Sequence, residues 1–377
     1  MASVPLVVAA RRTPIGTRGR GLGALTVDQL AAPVLQASIR DGAEALGATA
    51  FDLGDVVLGN CMGPGGNPAR VSALAAGLDA TVPGLTIDRQ CGSGLSAVLV
   101  AADAIRAGDE RVRLAGGVES ASTAPVRSID GVPYDRAPFA PHGFPDPGMP
   151  RAAEDLAAAT GISRERQDEY AALSHRRATD AVQDSRFAAE LVPLAGLTRD
   201  DAIGSVDDRT LIRFPTLFES GTLTGGNSCR VSDGAAAVLL APSGLACDAP
   251  GLALRSQATV GCDPALPGLG AAFAITAALD RAGVSLAEVA AFEIVEAFAA
   301  QLLAVLGTLG LADDDPRVCT DGGALALGHP WGASGAVSVV RLFSRLVRGG
   351  APAGTLGVAA ASIGGGMGVA AVFEVQR

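Results

Sequence analysis

Two distant stretches of this chain repeat one layout: a small-residue turn, an apolar helix, an Arg-Gly stop, an apolar strand and a Gly-rich turn. In the first, Cys91-Gly92-Ser93-Gly94 leads into a helix ending near Arg106-Ala107-Gly108. The strand Val112 to Ala115 and the turn Gly116-Gly117-Val118-Glu119-Ser120 follow. In the second, Trp331-Gly332-Ala333-Ser334-Gly335 leads into a helix ending near Arg348-Gly349-Gly350, then the strand Thr355 to Ala360 and the turn Ser362-Ile363-Gly364-Gly365-Gly366. An internal repeat of βα units is the mark of duplicated halves. Crossover connections of this kind build parallel-rich sheets covered by helices. The expectation is an α/β protein of two similar halves that share one site.

Between the repeats, from Ser122 to Thr224, the chain turns richer in Pro, Arg, Asp and Glu. Within that region an amphipathic helix is expected from Ser163 to Gln183, with Ser163 as its cap. The apolar segment Asp233 to Ala241 then returns the chain to the first sheet. The expected division is residues 1–121 with 233–247 as an N-terminal half, 122–232 as an inserted loop region, and 248–377 as a C-terminal half. Val4 to Ala10 reads as the first strand, because its charges Arg11 and Arg12 follow the apolar run, the reverse of a signal peptide. The long uncharged stretch from Gly349 to Phe373 holds Pro352 and many Gly, so it reads as strand-turn-strand and no membrane segment is expected.

All 29 basic residues are Arg, which removes Lys-dependent Schiff-base and P-loop chemistry. A net charge of −10 without a basic cluster argues against a nucleic-acid partner. The six Cys (61, 91, 229, 247, 262 and 319) show no C-x-x-C spacing, so they read as reduced thiols of a cytoplasmic protein with no metal site.

Cys91 stands before a helix expected from Leu95 to Arg106, whose free N–H groups and positive dipole end would favour a thiolate. The alternative is a small buried hydrophobe. Of three His, His142 lies in a Pro-rich loop and His175 on the charged helix, where a solvated face is expected. His329 differs, because it sits among glycines in Gly328-His329-Pro330-Trp331-Gly332, where an imidazole can activate a thiol.

At this density of motifs the chain resembles the thiolases over nearly its whole length. The resemblance rests on Arg12-Thr13-Pro14-Ile15-Gly16, Gly66-Asn67-Pro68-Ala69-Arg70, the Cys91 segment, Gly116 to Ser120, Asp233-Gly234-Ala235-Ala236, Glu296-Ala297-Phe298, the His329 segment and Ile363-Gly364-Gly365-Gly366-Met367-Gly368, in the family's order. It implies a five-layer αβαβα fold of two similar halves, with an inserted region covering coenzyme A. It also implies a coenzyme A thioester as substrate rather than as a cofactor, and no resident cofactor or metal. Residues 122–149 are short for an arm that joins dimers, which favours a homodimer. By resemblance Cys91 is the acyl-accepting nucleophile, His329 its base, and the Cys91 and Gly364 backbone N–H groups an oxyanion hole.

Two positions depart from the family's pattern. Ser362 stands where thiolases carry a second Cys, the base for the α-carbon of the second acyl-CoA, and losing a positioned base costs about 10²- to 10⁴-fold in rate. Val295 replaces the Asn or His before Glu-Ala-Phe, whose bound water donates to the enolate oxygen; such a loss costs roughly 10²- to 10³-fold. Both departures fall on the carbon–carbon step, and neither on acylation of Cys91. The functions left open are therefore a thiolase-like acyl transfer, possibly acetyl-CoA C-acyltransferase; a non-Claisen, hydrolytic or decarboxylative fate for the acyl group; and an acyl-thioester or partner-binding subunit with little turnover.

In the substrate channel, Cys229 replaces a pantetheine-contacting Ser. Arg230 is new there, either a carboxylate ligand or a surface ion-pair partner. Arg209, Arg213 and Arg230 are the charges on hand for coenzyme A phosphates, and Trp331 either narrows the pocket or packs.

Overall fold

The computed structural model describes residues 3–204, 206–246 and 249–377; Cys247, the expected end of the N-terminal half, lies outside them. The first half opens with β1 (Pro5–Arg12), the short β2 (Gly16–Thr17), α1 (Val27–Ala45), β3 (Leu53–Gly59), α2 (Pro68–Ala75), β4 (Gly84–Ile87), α3 (Ser93–Arg106) and β5 (Val112–Ser120). The inserted region contributes the hairpin β6 (Arg127–Ile129) and β7 (Val132–Tyr134), then α4 (Met149–Thr160), α5 (Arg164–Gln183) and α6 (Asp208–Leu211). The chain returns through β8 (Ser232–Pro242) and α7 (Ser243–Ala246). The second half runs β9 (Gly251–Gly261), α8 (Gly270–Ala282), β10 (Val289–Ile294), α9 (Ala299–Leu309), α10 (Ala324–Leu327), α11 (Trp331–Leu342), β11 (Leu356–Ile363) and β12 (Met367–Gln376).

The halves repeat one strand order, β4-β3-β5-β8-β1 in the first and β10-β11-β12-β9 in the second. They meet edge to edge where β1 and β9 pair antiparallel through Leu6–Ala253 and Val7–Leu252. α3 and α11 pack on each other between the sheets, with α1 and α2 covering the first sheet outside and α8 and α9 the second. That is the five-layer order expected from the sequence. Because α3 is covered on both sides, its Ala/Val/Leu run is buried nearly all round.

The sheets are mixed rather than parallel-rich. Among the described strand pairs, only β3 with β4, β3 with β5, and β10 with β11 are parallel. The cause is local: the turn at 364–366, with Gly365 and Gly366 at φ 87° and 80°, returns the chain at once as an antiparallel hairpin. The segment Gly116 to Ser120 is not a turn but the end of β5. Its glycines answer to packing instead, since a Cβ at Gly117 would lie 1.9 Å from the Gly332 carbonyl oxygen.

Ser163 caps α5 as expected, its hydroxyl accepting from the Arg166 N–H. α5 is not a solvated helix, however, because its Tyr170, Ala171, Ser174, His175 and Ala178 are buried as it packs on α9 and α10. His175 is therefore a core residue whose Nδ1 has no hydrogen-bond partner, and burial lowers its pKa to about 4. A buried ionic cluster ties the insertion to both halves. Arg12 binds Glu190 at 2.7 Å and Asp200 at 2.6 Å, Arg341 binds Glu190 and Asp321, and the Phe187 ring lies between the guanidinium groups at 5.3 and 4.6 Å.

Candidate active site

Cys91 occupies a 3-10 turn, Gln90–Gly92, between β4 and α3. Gln90 is held at φ 46°, a conformation that costs energy for a residue with a side chain. Its carbonyl is pinned by two donors, the Ser93 hydroxyl at 2.6 Å and the Cys61 thiol at 3.1 Å. The turn is thus over-determined by its neighbours.

His329 enters from the other half. Its backbone N–H donates to the Arg230 carbonyl at 2.9 Å, and its Nε2 stands 3.3 Å from Cys91 Sγ. The other ring nitrogen, Nδ1, lies 2.6 Å from Ser334 Oγ. Ser334 directs its own proton to the Pro330 carbonyl at 3.1 Å, so Oγ is left to accept from Nδ1–H. That tautomer turns the Nε2 lone pair toward the thiol.

Glu119 of β5 ties the His329 segment to the loop at 60–62, whose Cys61 thiol holds the Gln90 carbonyl. Its carboxylate accepts from the Gly332 N–H at 2.9 Å and from the Cys61 and Met62 N–H groups at 3.1 Å, and burial raises its pKa to about 7.

The thiolate expected from the helix dipole is not the resting state. Burial pushes the Cys91 thiol up to about 12, outweighing the favourable contact with its own N–H. Burial likewise lowers His329 to about 4. Thiol and imidazole rest as a neutral pair, and the proton moves only when charge develops on sulfur.

One pocket brings together Cys91, His329, Ser362, Gly364, Cys229 and Trp331. Its apolar wall is Met149, Ala152, Ala153 and Leu156 of α4 with Phe298, and Phe139 of the insertion packs on Gly364. Gln301, the α4 wall and the Ser334 contact were not picked out from the sequence. Ser334 alone had a local signal, a hydroxyl in the first turn of the helix that follows His329-Pro330.

Ser362 serves as a brace. Its hydroxyl donates to the Gly268 carbonyl at 2.7 Å and accepts from the Ala271 N–H at 3.0 Å and from Gln301 Nε2 at 3.4 Å. Val295 stands apart from the pocket. It lines a separate cavity with Ser334, Ser338 and Arg341, and its N–H donates to the Ala360 carbonyl.

Arg230 does not line the pocket, and its guanidinium stands among Arg20, Asp201 and His175. Arg213 is exposed beyond α6, while Arg209 lines a surface groove with His175 and Arg176. Among the described residues no three His, Cys, Asp or Glu side chains converge as a metal site, and no helix is long and apolar enough to cross a membrane.

The model of the thiolase N-terminal domain matches residues 5–244, and that of the thiolase C-terminal domain residues 249–375. A Staphylococcus aureus protein named "Putative acetyl-CoA C-acetyltransferase VraB" is 38% identical over 385 residues, covering 98% of each chain. The Bacillus subtilis protein YhfS, named in the same words, is 40% identical over 382 residues, covering 98% of this chain and 99% of its own. The crystal structure of the Bacillus anthracis acetyl-CoA acetyltransferase superposes with a TM-score of 0.89 at 34% identity, over 99% of both chains. With both domain models matched in order and relatives aligned end to end, the chain belongs to the thiolase family.

Proposed function

We propose that this thiolase-family acyltransferase takes an acyl group from coenzyme A, or a related pantetheine thioester, onto Cys91, with His329 as the base. The names of its relatives favour acetyl-CoA as the donor. The observation that carries the reading is the 3.3 Å approach of His329 Nε2 to Cys91 Sγ inside the pocket. As sulfur attacks the thioester carbonyl, its proton passes to Nε2. The tetrahedral intermediate then collapses, and the departing carrier thiolate takes that proton from His329. The Cys91 and Gly364 N–H groups are the donors for the developing oxyanion. The apolar α4 wall limits water at the acyl-Cys bond. The same reading expects a homodimer and, from the free thiols of Cys61, Cys91, Cys229, Cys262 and Cys319, a reducing cytoplasmic setting.

A second reading is favoured by Ser362, whose hydroxyl is engaged as a brace and offers no base at that position. Under it the acyl group leaves Cys91 by a route other than Claisen condensation, such as transfer to a hydroxyl, hydrolysis, or a carbanion freed by decarboxylation.

Incubation with radiolabelled acetyl-CoA, followed by peptide mapping, tests the first step. Label is expected on Cys91 and is expected to vanish in Cys91→Ala; an unlabelled protein refutes acyl transfer altogether. Thiolysis of a 3-ketoacyl-CoA by free coenzyme A separates the two readings, and a labelled enzyme without thiolysis leaves the second standing.

A further inference from the structure

Carbon–carbon chemistry on acyl-Cys91 needs a group in the same pocket that removes a proton from the α-carbon of the second substrate. Among the lining residues, Cys91 is itself acylated at that stage, and Trp331 and Gln301 have no proton-accepting group of useful strength. Ser362 has its proton committed to Gly268 and its lone pairs to Ala271 and Gln301. Cys229 and His329 remain.

Cys229 is positioned for the task by backbone on both sides. Its N–H donates to the Ala297 carbonyl at 3.0 Å, and its neighbour Ser228 bridges to Phe298. Two residues on, Val231 bridges to His329. The thiol is thus set between the loop at 296–298 and the base, facing the pocket. Its sulfur makes no side-chain hydrogen bond among the described residues, in contrast to the engaged hydroxyl of Ser362.

We infer that Cys229 is the acid–base residue of the carbon–carbon step, taking the α-proton in place of a residue at 362. The inference rests on the acyl-transfer reading above. The step balances within the pocket. After acylation His329 is neutral again, and it takes the Cys229 proton, leaving a thiolate. That thiolate removes the α-proton, and the C–H electron pair forms the bond to the acyl carbonyl carbon. The C–S bond to Cys91 breaks with its electrons on sulfur, and His329 returns its proton to Cys91. Cys229 ends as a thiol, as it began.

Burial holds the Cys229 thiol protonated at rest, so it acts as a base only after His329 has taken its proton.

The test compares wild type, Cys229→Ala and Cys229→Ser in three assays: acylation of Cys91 from labelled acetyl-CoA, deuterium exchange at the α-carbon of acetyl-CoA in D2O, and 3-ketoacyl-CoA thiolysis. Exchange and thiolysis are expected to fall about 10²- to 10⁴-fold in the variants, the range for a lost general base, and by far more than acylation of Cys91 does. Retained exchange with a raised KM for coenzyme A overturns the proposal and makes Cys229 a channel wall. Loss of acylation in both variants also overturns it, by placing Cys229 before the carbon–carbon step. Failure of the two readings is distinguishable in wild type: an unlabelled Cys91 removes acyl transfer itself, whereas label without exchange removes only the role of Cys229.

Discussion

Ser334→Ala is the sharpest probe of the catalytic pair, because it touches neither Cys91 nor the substrate. In the wild-type protein Ser334 Oγ accepts from His329 Nδ1–H at 2.6 Å, and both residues are almost wholly buried. Removing the hydroxyl leaves Nδ1–H without its protein partner in a buried site. An unsatisfied buried donor costs about 1–3 kcal/mol, and that penalty falls on the tautomer whose Nε2 faces the thiol as a base. Since about 1.4 kcal/mol is a factor of ten, the reactive tautomer should be depleted roughly five- to 150-fold. The acylation rate should fall by that factor, measured as the single-turnover burst of coenzyme A from acetyl-CoA. Binding of coenzyme A should be unchanged, because Ser334 does not line the pocket. An acylation rate within twofold of wild type refutes the argument that Ser334 fixes the tautomer.

Four further outcomes follow from buried groups. His175 stays neutral in the fold down to about pH 4, against an ordinary value of 6.5, so the unfolded chain alone takes up a proton between these values. Its contribution is complete above pH 6.5 and is lost as pH falls toward 4. Relative to His175→Gln, the wild type should lose about 3 kcal/mol between pH 7.5 and 4 in urea unfolding; a pH-independent difference refutes this. Gly117→Ala places a Cβ 1.9 Å from the Gly332 carbonyl and should cost about 3 kcal/mol or more, seen as a large drop in Tm. Arg341→Met leaves Glu190 and Asp321 short of a buried partner and should cost about 3–5 kcal/mol, whereas Arg151→Met at an exposed pair should cost under about 1 kcal/mol. Ser362→Ala frees the Ala271 N–H and the Gly268 carbonyl, so stability should fall by about 1–3 kcal/mol while acylation of Cys91 persists; a lost acylation step would give Ser362 a chemical role.

The duplicated halves were legible because their signal is local: a small-residue turn, an apolar run and an Arg-Gly stop recur in register, and propensity acts over such distances. The cap of α5 by Ser163 was legible for the same reason. Strand direction was not, since it depends on where the chain goes after Gly364 and on β8 returning beside β5 after a long insertion. His175 was misread because the charged residues around it mark the helix, while its burial is decided by α9 and α10, distant in sequence. The resting charge of Cys91 was misread in the same way. A helix N-terminus is visible in sequence, but the depth at which it is buried is not, and depth sets the sign. Gly116 and Gly117 look like turn residues until β8 is laid beside the first and a helix from the other half across the second.

The crossing of α3 and α11 has a consequence for recombination. Gly94 and Gly332 approach so closely that a Cβ on Gly94 would lie 2.8 Å from the Gly332 carbonyl, and Gly335 meets Leu95 with similar tightness. Cys91 lies just before one helix and His329 just before the other, so the spacing of the reacting atoms is inherited from the seam rather than set by either segment. A chimera cut between β8 and β9 divides the chain at a natural boundary yet mates two seams with separate histories. Such hybrids should fold and fall silent unless the glycines of both partners travel together, which makes the seam, and not the nucleophile, the unit that must be transplanted.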